Sequence, residues 1–265
     1  MNIIDHMTIQ PGYAFSGLLV GLAVGLTGVG GGSLMTPILM LVFGFHPATA
    51  VGTDLLFAAA TKTVGTTIHS AGKTVDWSIV RRLATGSVPA TILSLLAISY
   101  FGINSKAVTS AITTALGVAL LLSATSLLFK DHIVHAITRR YPNFGDGSSV
   151  KRTIAIGFIL GILVSLSSVG AGALGTIALL ILYPRLPVVR IVGSDIAHAV
   201  PLTLLAGLGH WYLGTINFAL LATLLIGSIP GIIVGSYAAR YAPDKVLKAL
   251  LGIILFLVGL KMLVK

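Results

Sequence analysis

The chain contains no cysteine, and only 9% of its 265 residues are charged. The first absence excludes disulfides and thiolate metal sites, though it says little about compartment. The second excludes an ordinary soluble domain, in which roughly 25% of residues are charged. Acidic residues are scarcest: seven stand against seventeen Lys and Arg, giving a formal net charge of +10. In a soluble protein that excess would suggest nucleic acid. With 55% hydrophobic residues and a mean hydropathy of +1.01, it reads instead as membrane topology, and no nucleic-acid partner is expected. The apolar residues come in blocks long enough to cross a bilayer. The expectation is an all-α, polytopic membrane protein. No Lys or Arg precedes Lys62 and no small-residue cleavage site is visible, so no signal peptide is expected.

What is present begins with a glycine cluster, Gly28-Val29-Gly30-Gly31-Gly32-Ser33, set inside an apolar run over 13–45. The flanking segments 13–27 and 33–45 are each shorter than a ~30 Å hydrocarbon core requires at ~1.5 Å per residue. A short apolar pair broken by glycine predicts a re-entrant hairpin. Unwound backbone at membrane depth is tolerated only where protein or a polar cavity covers it. Three spans should follow, at about 47–70, 77–101 and 106–129, and then a hydrophilic linker over 130–152.

The pattern then restarts, with a second hairpin at about 153–184, broken at Ser168-Val169-Gly170-Ala171-Gly172. Spans follow at about 187–212, 217–239 and 246–264. A shift of 140 or 141 positions superposes the two halves. Gly30 meets Gly170, Gly32 meets Gly172, and Val51-Gly52-Thr53-Asp54 meets Val192-Gly193-Ser194-Asp195. His69 meets His210, and Gly86-Ser87-Val88-Pro89 meets Gly227-Ser228-Ile229-Pro230. The chain reads as an internal duplication. Each half has an odd number of crossings, so the copies should be inverted in the membrane.

Loop charges test that orientation. With both termini outside, the inner segments hold Lys73, Arg81, Arg82, Lys130, Arg139, Arg140, Lys151, Arg152, Arg185, Arg190, Arg240, Lys245 and Lys248. The outer segments hold Lys106, Lys261 and Lys265. Thirteen against three is a positive-inside bias that makes the 130–152 linker cytoplasmic. Glycines at four-residue spacing (Gly17, Gly21, Gly25; Gly227, Gly231, Gly235) would let helices approach closely, within one protomer or in a homodimer, which the sequence leaves open.

Ionisable groups inside the spans cluster on one helix of each half: Asp54, Lys62 and His69 in the first, Asp195, His198 and His210 in the second. On a helix, Asp54, Thr61, Lys62 and His69 share one stripe. An intramembrane lysine costs roughly 2.5–3.5 kcal/mol on insertion scales and normally faces the bundle interior with a partner. Lys62 either closes a salt bridge to Asp54 or Asp195 or marks an anion pathway. The aspartates either brace the hairpins or handle protons. His69 and His210 lie near helix ends, where an ordinary hydrogen-bonded histidine is expected. Asp195 and His198 are too few for a metal site, and neither metal nor cofactor is expected. A half-helix should begin after each glycine break, its positive end deep in the membrane. Its free amides, with the Ser33 hydroxyl, could hold an anion.

Gly28-Val29-Gly30-Gly31-Gly32 with Pro37, then Val51-Gly52-Thr53-Asp54-Leu55, His69 and Gly72-Lys73-Thr74-Val75-Asp76-Trp77, resembles the sulfite exporter TauE/SafE family over nearly the whole chain. The resemblance implies a multi-pass transporter of the cell membrane for sulfur-containing anions such as sulfite or organosulfonates. In the second half Ala171 replaces the middle glycine, Ile177 the proline, and Thr203 stands opposite Lys62. The expected binding residues are Gly30, Gly31, Gly32, Ser33, Thr53, Lys62, Gly170, Gly172 and Ser194. The expected coupling residues are Asp54, Asp195, His69, His198 and His210. Rival readings are a cation or metal transporter using Asp195, His198 and His210, a passive channel, and an intramembrane aspartyl hydrolase with Asp54 and Asp195 as its paired carboxylates.

Overall fold

The computed structural model describes residues 10–27, 32–71, 74–140, 149–238 and 244–264. Among these the regular structure is helical throughout. The first half contains α1 (Pro11–Thr27), α2 (Gly32–Leu41), α3 (Pro47–Ala71), α4 (Trp77–Phe101) and α5 (Lys106–Arg140). The second contains α6 (Ser149–Ser167), α7 (Ala173–Leu182), α8 (Val188–Tyr212), α9 (Phe218–Ala238) and α10 (Asp244–Leu263). Six stretches are long and apolar enough to cross a bilayer: Trp77–Phe101, Lys106–Lys130, Val150–Ser167, Val188–Tyr212, Phe218–Gly235 and Val246–Leu263. The protein is an all-α, polytopic membrane protein. Helix α3 equals α8 in length, at 25 residues. Its Asp54, Lys62 and threonines dilute its hydropathy, and it falls outside those six.

The glycine break at 28–31 lies outside the described residues, and so do Gly30 and Gly31. The arms on either side of the breaks differ from expectation in length. Helix α1 starts at Pro11, a residue suited to the first turn, and runs for 17 residues. Helix α6 starts at Ser149 and runs for 19, because a polar turn with Lys151 and Arg152 extends the apolar segment. Helices α2 and α7 have 10 residues each. At ~1.5 Å per residue the first arms reach about 25–28 Å and the second arms only about 15 Å. Each hairpin is therefore a long arm with a half-helix folded back on it. Its chain leaves beside its point of entry. The Tyr13 ring stacks edge-on against Phe43 at 4.8 Å and lies 5.7 Å from Phe45. At the second mouth, the Thr153 and Tyr183 hydroxyls are 2.7 Å apart. Helix α5 also continues to Arg140, past a kink at Phe129 (φ −119°, ψ 19°), so the first part of the expected linker is helical.

The principal pairings are α1 with α9, α4 with α6, α5 with α10 and α3 with α8. The long arm of each hairpin is thus held by the other half. Small residues make this possible. Gly17 lies against the Leu224 carbonyl and Gly21 against that of Ser228, while Gly227, Gly231 and Gly235 face the carbonyls of Ala14, Leu18 and Leu22. A Cβ at any of these positions would enter the opposing backbone. Gly157 and Gly161 press on Leu83 and Ser87 in the same way. The glycine stripes are therefore used between helices of one chain.

The repeated Val-Gly-Thr/Ser-Asp motif joins the halves. Gly193 admits the Thr74 carbonyl, and Gly52 admits Thr215 and His210. The Asp76 amide donates to Ser194 Oγ at 2.8 Å, and the Asn217 amide donates to Thr53 Oγ1 at 3.2 Å. Those two acceptors hold the N-cap residues of α4 and α9. Asp76 caps the Ser78 and Ile79 amides, and Asn217 caps that of Leu220. Apolar packing fills the centre, where Val51 and Leu55 of α3 meet Leu202 and Ala206 of α8. Leu96, Tyr100, Ile229, Ile233 and Leu257 are exposed at the perimeter, as expected of a lipid-facing surface.

Candidate functional site

The second hairpin break gathers the buried polar groups. Helix α6 ends at Ser167, and the next five residues run through Ser168 (φ 60°), Gly170 (φ 126°) and Gly172 (φ 126°) before α7 begins at Ala173. Only glycine enters that region without a Cβ penalty, which explains the motif's spacing. The turn is fixed by the Ser167 hydroxyl, which donates to the Leu163 carbonyl at 2.6 Å and receives the Val169 amide at 3.2 Å.

Helix α3 of the first half reaches this break with both of its described charges. Lys62, 7% exposed, donates from Nζ to the Ala171 carbonyl at 3.1 Å. Both Asp195 and Asp54 lie within electrostatic reach of its ammonium. No contact ion pair closes between Lys62 and either aspartate among the described residues. Asp54, fully buried, accepts from the Thr36 hydroxyl of α2 and faces Ser168 of the break. Asp195, also fully buried, accepts from Thr176 Oγ1 of α7 at 2.9 Å and packs against Gly175. Each carboxylate therefore sits on the first turns of its own half-helix, where dipole and free amides favour an anion. His198 of α8 is fully buried, and its Nε2 lies 2.9 Å from Ser87 Oγ of α4. Asp54 Oδ1, Asp195 Oδ1, Ser168 Oγ and His198 Nδ1 make no hydrogen bond among the described residues. Four such atoms in one buried neighbourhood are unusual, because buried polar groups are nearly always paired.

The other expected residues divide. Gly170 and Gly172 form the break beside Lys62, and Ser33 is buried in the first turn of α2. Thr53 and Ser194 spend their hydroxyls on the loops before α9 and α4. His210 is fully buried, donates from Nε2 to the Ser165 carbonyl at 3.0 Å, and has Nδ1 3.1 Å from the Thr215 hydroxyl. It braces helix α8 and is separate from the Lys62 cluster in its bonding. The His69 side chain lies outside the described residues. Thr203, opposite Lys62 in the repeat, bonds back to the Ala199 carbonyl at 2.8 Å, so α8 supplies no matching cation. Among the described residues no three His, Cys, Asp or Glu side chains come together as a metal site would require. Thr36, Thr176, Ser168 and Ser87 belong to the cluster and are not among the site residues expected from sequence. Thr36 and Thr176 do fall on the same offset of 140 that relates Gly32 to Gly172.

Two folded-back half-helices, a charged interior and a lipid-facing rim define a multi-pass membrane protein built around a buried polar site. Residues 13–262 match the family described as Sulfite exporter TauE/SafE, and the chain belongs to that family. It is 37% identical over 248 residues to the Probable membrane transporter protein YjnA of Bacillus subtilis, covering 93% of this chain and 97% of that one. It is 25% identical to the Probable membrane transporter protein YdhB of the same organism, covering 92% and 96%. A probable membrane transporter protein of Methanocaldococcus jannaschii is 26% identical over 276 residues, covering 98% and 97%. No solved structure matches the chain. Family and relatives identify a membrane transporter.

Proposed function

We propose that the protein is a secondary transporter of a small sulfur-containing oxyanion, sulfite or a sulfonate, working by alternating access in the cell membrane. The observation that carries this reading is the Lys62–Ala171 bond: the one intramembrane lysine of the first half ends on the hairpin break of the second. An ion bound there touches both halves, so a movement of one against the other changes its access. The crossed pairing of α1 with α9 and of α6 with α4 supports two halves of opposite orientation. The loop-charge bias supports termini outside and the 130–152 segment inside.

Charge balance gives Asp54 and Asp195 a part. With both carboxylates ionised, they outnumber the single ammonium by one, and an added anion would be repelled. Binding is favoured when a proton neutralises one of them, which makes substrate and proton movements interdependent. Each carboxylate also occupies a half-helix terminus that an anion would otherwise take, so protonation releases that terminus. The geometry is less suited to the rival readings. Asp54 and Asp195 each bond a threonine of their own hairpin, whereas a hydrolytic pair shares a proton directly. Asp195, His198 and His210 have separate partners, unlike the ligands of a cation site.

The test is sulfite uptake into proteoliposomes, with and without an imposed pH gradient. Saturable flux that responds to the gradient and is lost in Lys62→Met is expected. Unchanged flux in Lys62→Met would remove the lysine from the pathway, and nickel flux with no sulfite flux would favour a cation transporter.

A further inference from the structure

A cavity of about 270 Å³ lies where the first turn of α7 meets α5, α8 and α10. Its polar side chains are Ser126 and Lys130 of α5, Thr176 of α7 and Lys248 of α10; Gly172 and Ala173 bring the backbone at the start of α7, and Leu127, Ile177, Val192 and Ile196 complete the wall. Both lysines stand at the end of the bundle that also carries Arg81, Arg82, Lys151 and Arg185. Two ammonium groups line the cavity, and none of the described residues lining it is acidic.

Two further observations point to a ligand. Hydroxyls inside spans ordinarily bond back to the carbonyl four residues earlier, as Ser94, Thr113 and Thr125 do here. Ser126 is only 7% exposed, lines the cavity, and makes no such bond among the described residues. Ser123, three residues deeper on the same face, is 1% exposed and its hydroxyl is likewise unpartnered. Ser123, Ser126 and Lys130 follow i, i+3, i+7 spacing, so α5 presents a hydroxyl ladder with an ammonium at its outer end. The kink at Phe129 turns the helix just before that lysine. On the facing side, the Gly175 and Thr176 amides return to the Gly170 and Gly172 carbonyls. The Ala173 amide has no helical acceptor and remains a donor at the positive end of α7.

We propose that this cavity is the cytoplasmic vestibule of the transport path, a binding site for a small oxyanion held by Lys130, Lys248, the Ser126 hydroxyl and the first-turn amide of α7. Thr176 separates it from Asp195, to which its hydroxyl donates, so an ion leaving the vestibule passes Thr176 to reach the Lys62 cluster. The passage rests on the transport reading; the binding site does not. The same donors would suit the phosphate of an anionic lipid headgroup, and the experiment separates the two sources.

Acetylation rates of Lys130 and Lys248 are measured by mass spectrometry on the purified wild-type protein in phosphatidylcholine nanodiscs, with and without saturating methanesulfonate. Slowing of both lysines by fivefold or more, with Lys106 and Lys261 unaffected and chloride inert, is expected. Ser126→Ala should raise the methanesulfonate concentration needed for protection several-fold. Unchanged rates at both lysines overturn the site. Protection by phosphatidylglycerol alone, with no further slowing by methanesulfonate, assigns the cavity to a lipid headgroup and also overturns it. Protection without sulfite flux overturns the transport reading and leaves the site standing, while flux without protection does the reverse.

Discussion

Replacing Lys62 with methionine keeps the length of an apolar stem and removes only the ammonium, so its cost can be worked from the contacts. Two consequences follow. The Ala171 carbonyl loses a charged donor at 3.1 Å, worth about 1.5–3 kcal/mol. Asp195 and Asp54 lose the cation that acts on both. The site is buried, so the loss is not screened by water as it would be at a surface. Removing one partner of a buried charge network typically costs about 3–5 kcal/mol. By soluble-domain scaling of about 2–4 °C per kcal/mol at this size, the melting temperature falls by roughly 6–20 °C. The second half of the prediction is sharper. Lys62→Met alone leaves two uncompensated carboxylates, and Lys62→Met/Asp195→Asn leaves one, as in the wild type, so the double variant should be more stable than the sum of the single effects implies, by at least about 1 kcal/mol. The same cycle with Asp54→Asn tests the second carboxylate on which the ammonium acts. The assay is thermal unfolding in detergent, followed by circular dichroism for all five proteins and the wild type. Strict additivity of Lys62→Met and Asp195→Asn would refute the idea that these groups form one network.

Three further substitutions test packing and helix capping. Gly227→Ala places a Cβ inside the Ala14 carbonyl, a backbone group that cannot swing aside. Overpacking of at least about 1–3 kcal/mol is expected, read as a lower melting temperature with α1 more open to proteolysis, whereas an unchanged melting temperature would mean that α1 and α9 are less closely packed. Asp76→Ala removes the cap that accepts from Ser78 and Ile79 and should cost about 0.5–2 kcal/mol, and Asn217→Ala should cost a similar amount at the matching position, both measured by thermal unfolding.

Much of this was legible in the sequence because membrane helices obey few rules. Apolar blocks lie where α3, α4, α8, α9 and α10 run, whereas α5 continues 11 residues past its expected end at 129, and the offset of 140 or 141 is a pattern of the sequence itself. Lys62 declared itself by cost: an intramembrane ammonium must be partnered, and the partner proved to be the other half's break. Helix ends were less legible. A bilayer does not oblige a helix to stop where apolar residues stop, so α6 begins in a polar turn and α5 continues through His132 and His135. The hydroxyls were harder still. Thr36 and Thr176 serve the carboxylates, while Thr113 and Thr125 merely satisfy their own helix, and only three-dimensional placement separates these uses. Thr53 and Ser194 carried the repeat signal strongly, but for joining halves at helix caps. Lys130 and Lys248 were absorbed into a topology count, because charge bookkeeping along a chain does not reveal which loops share a cavity.

The crossed pairing of α1 with α9 has a consequence for how the chain is made. The amino-terminal arm leaves the ribosome first, yet its main partner begins only at Phe218. At about 5–20 residues per second, that partner follows on the order of 10–40 s later. Until then the glycine-lined face of α1, shaped to meet a backbone at close range, has only lipid or the insertion machinery against it. Helix α6, by contrast, emerges after α4 and can dock at once. The two hairpins therefore have opposite histories: one meets a partner already synthesised, and the other waits until Phe218 and beyond have emerged.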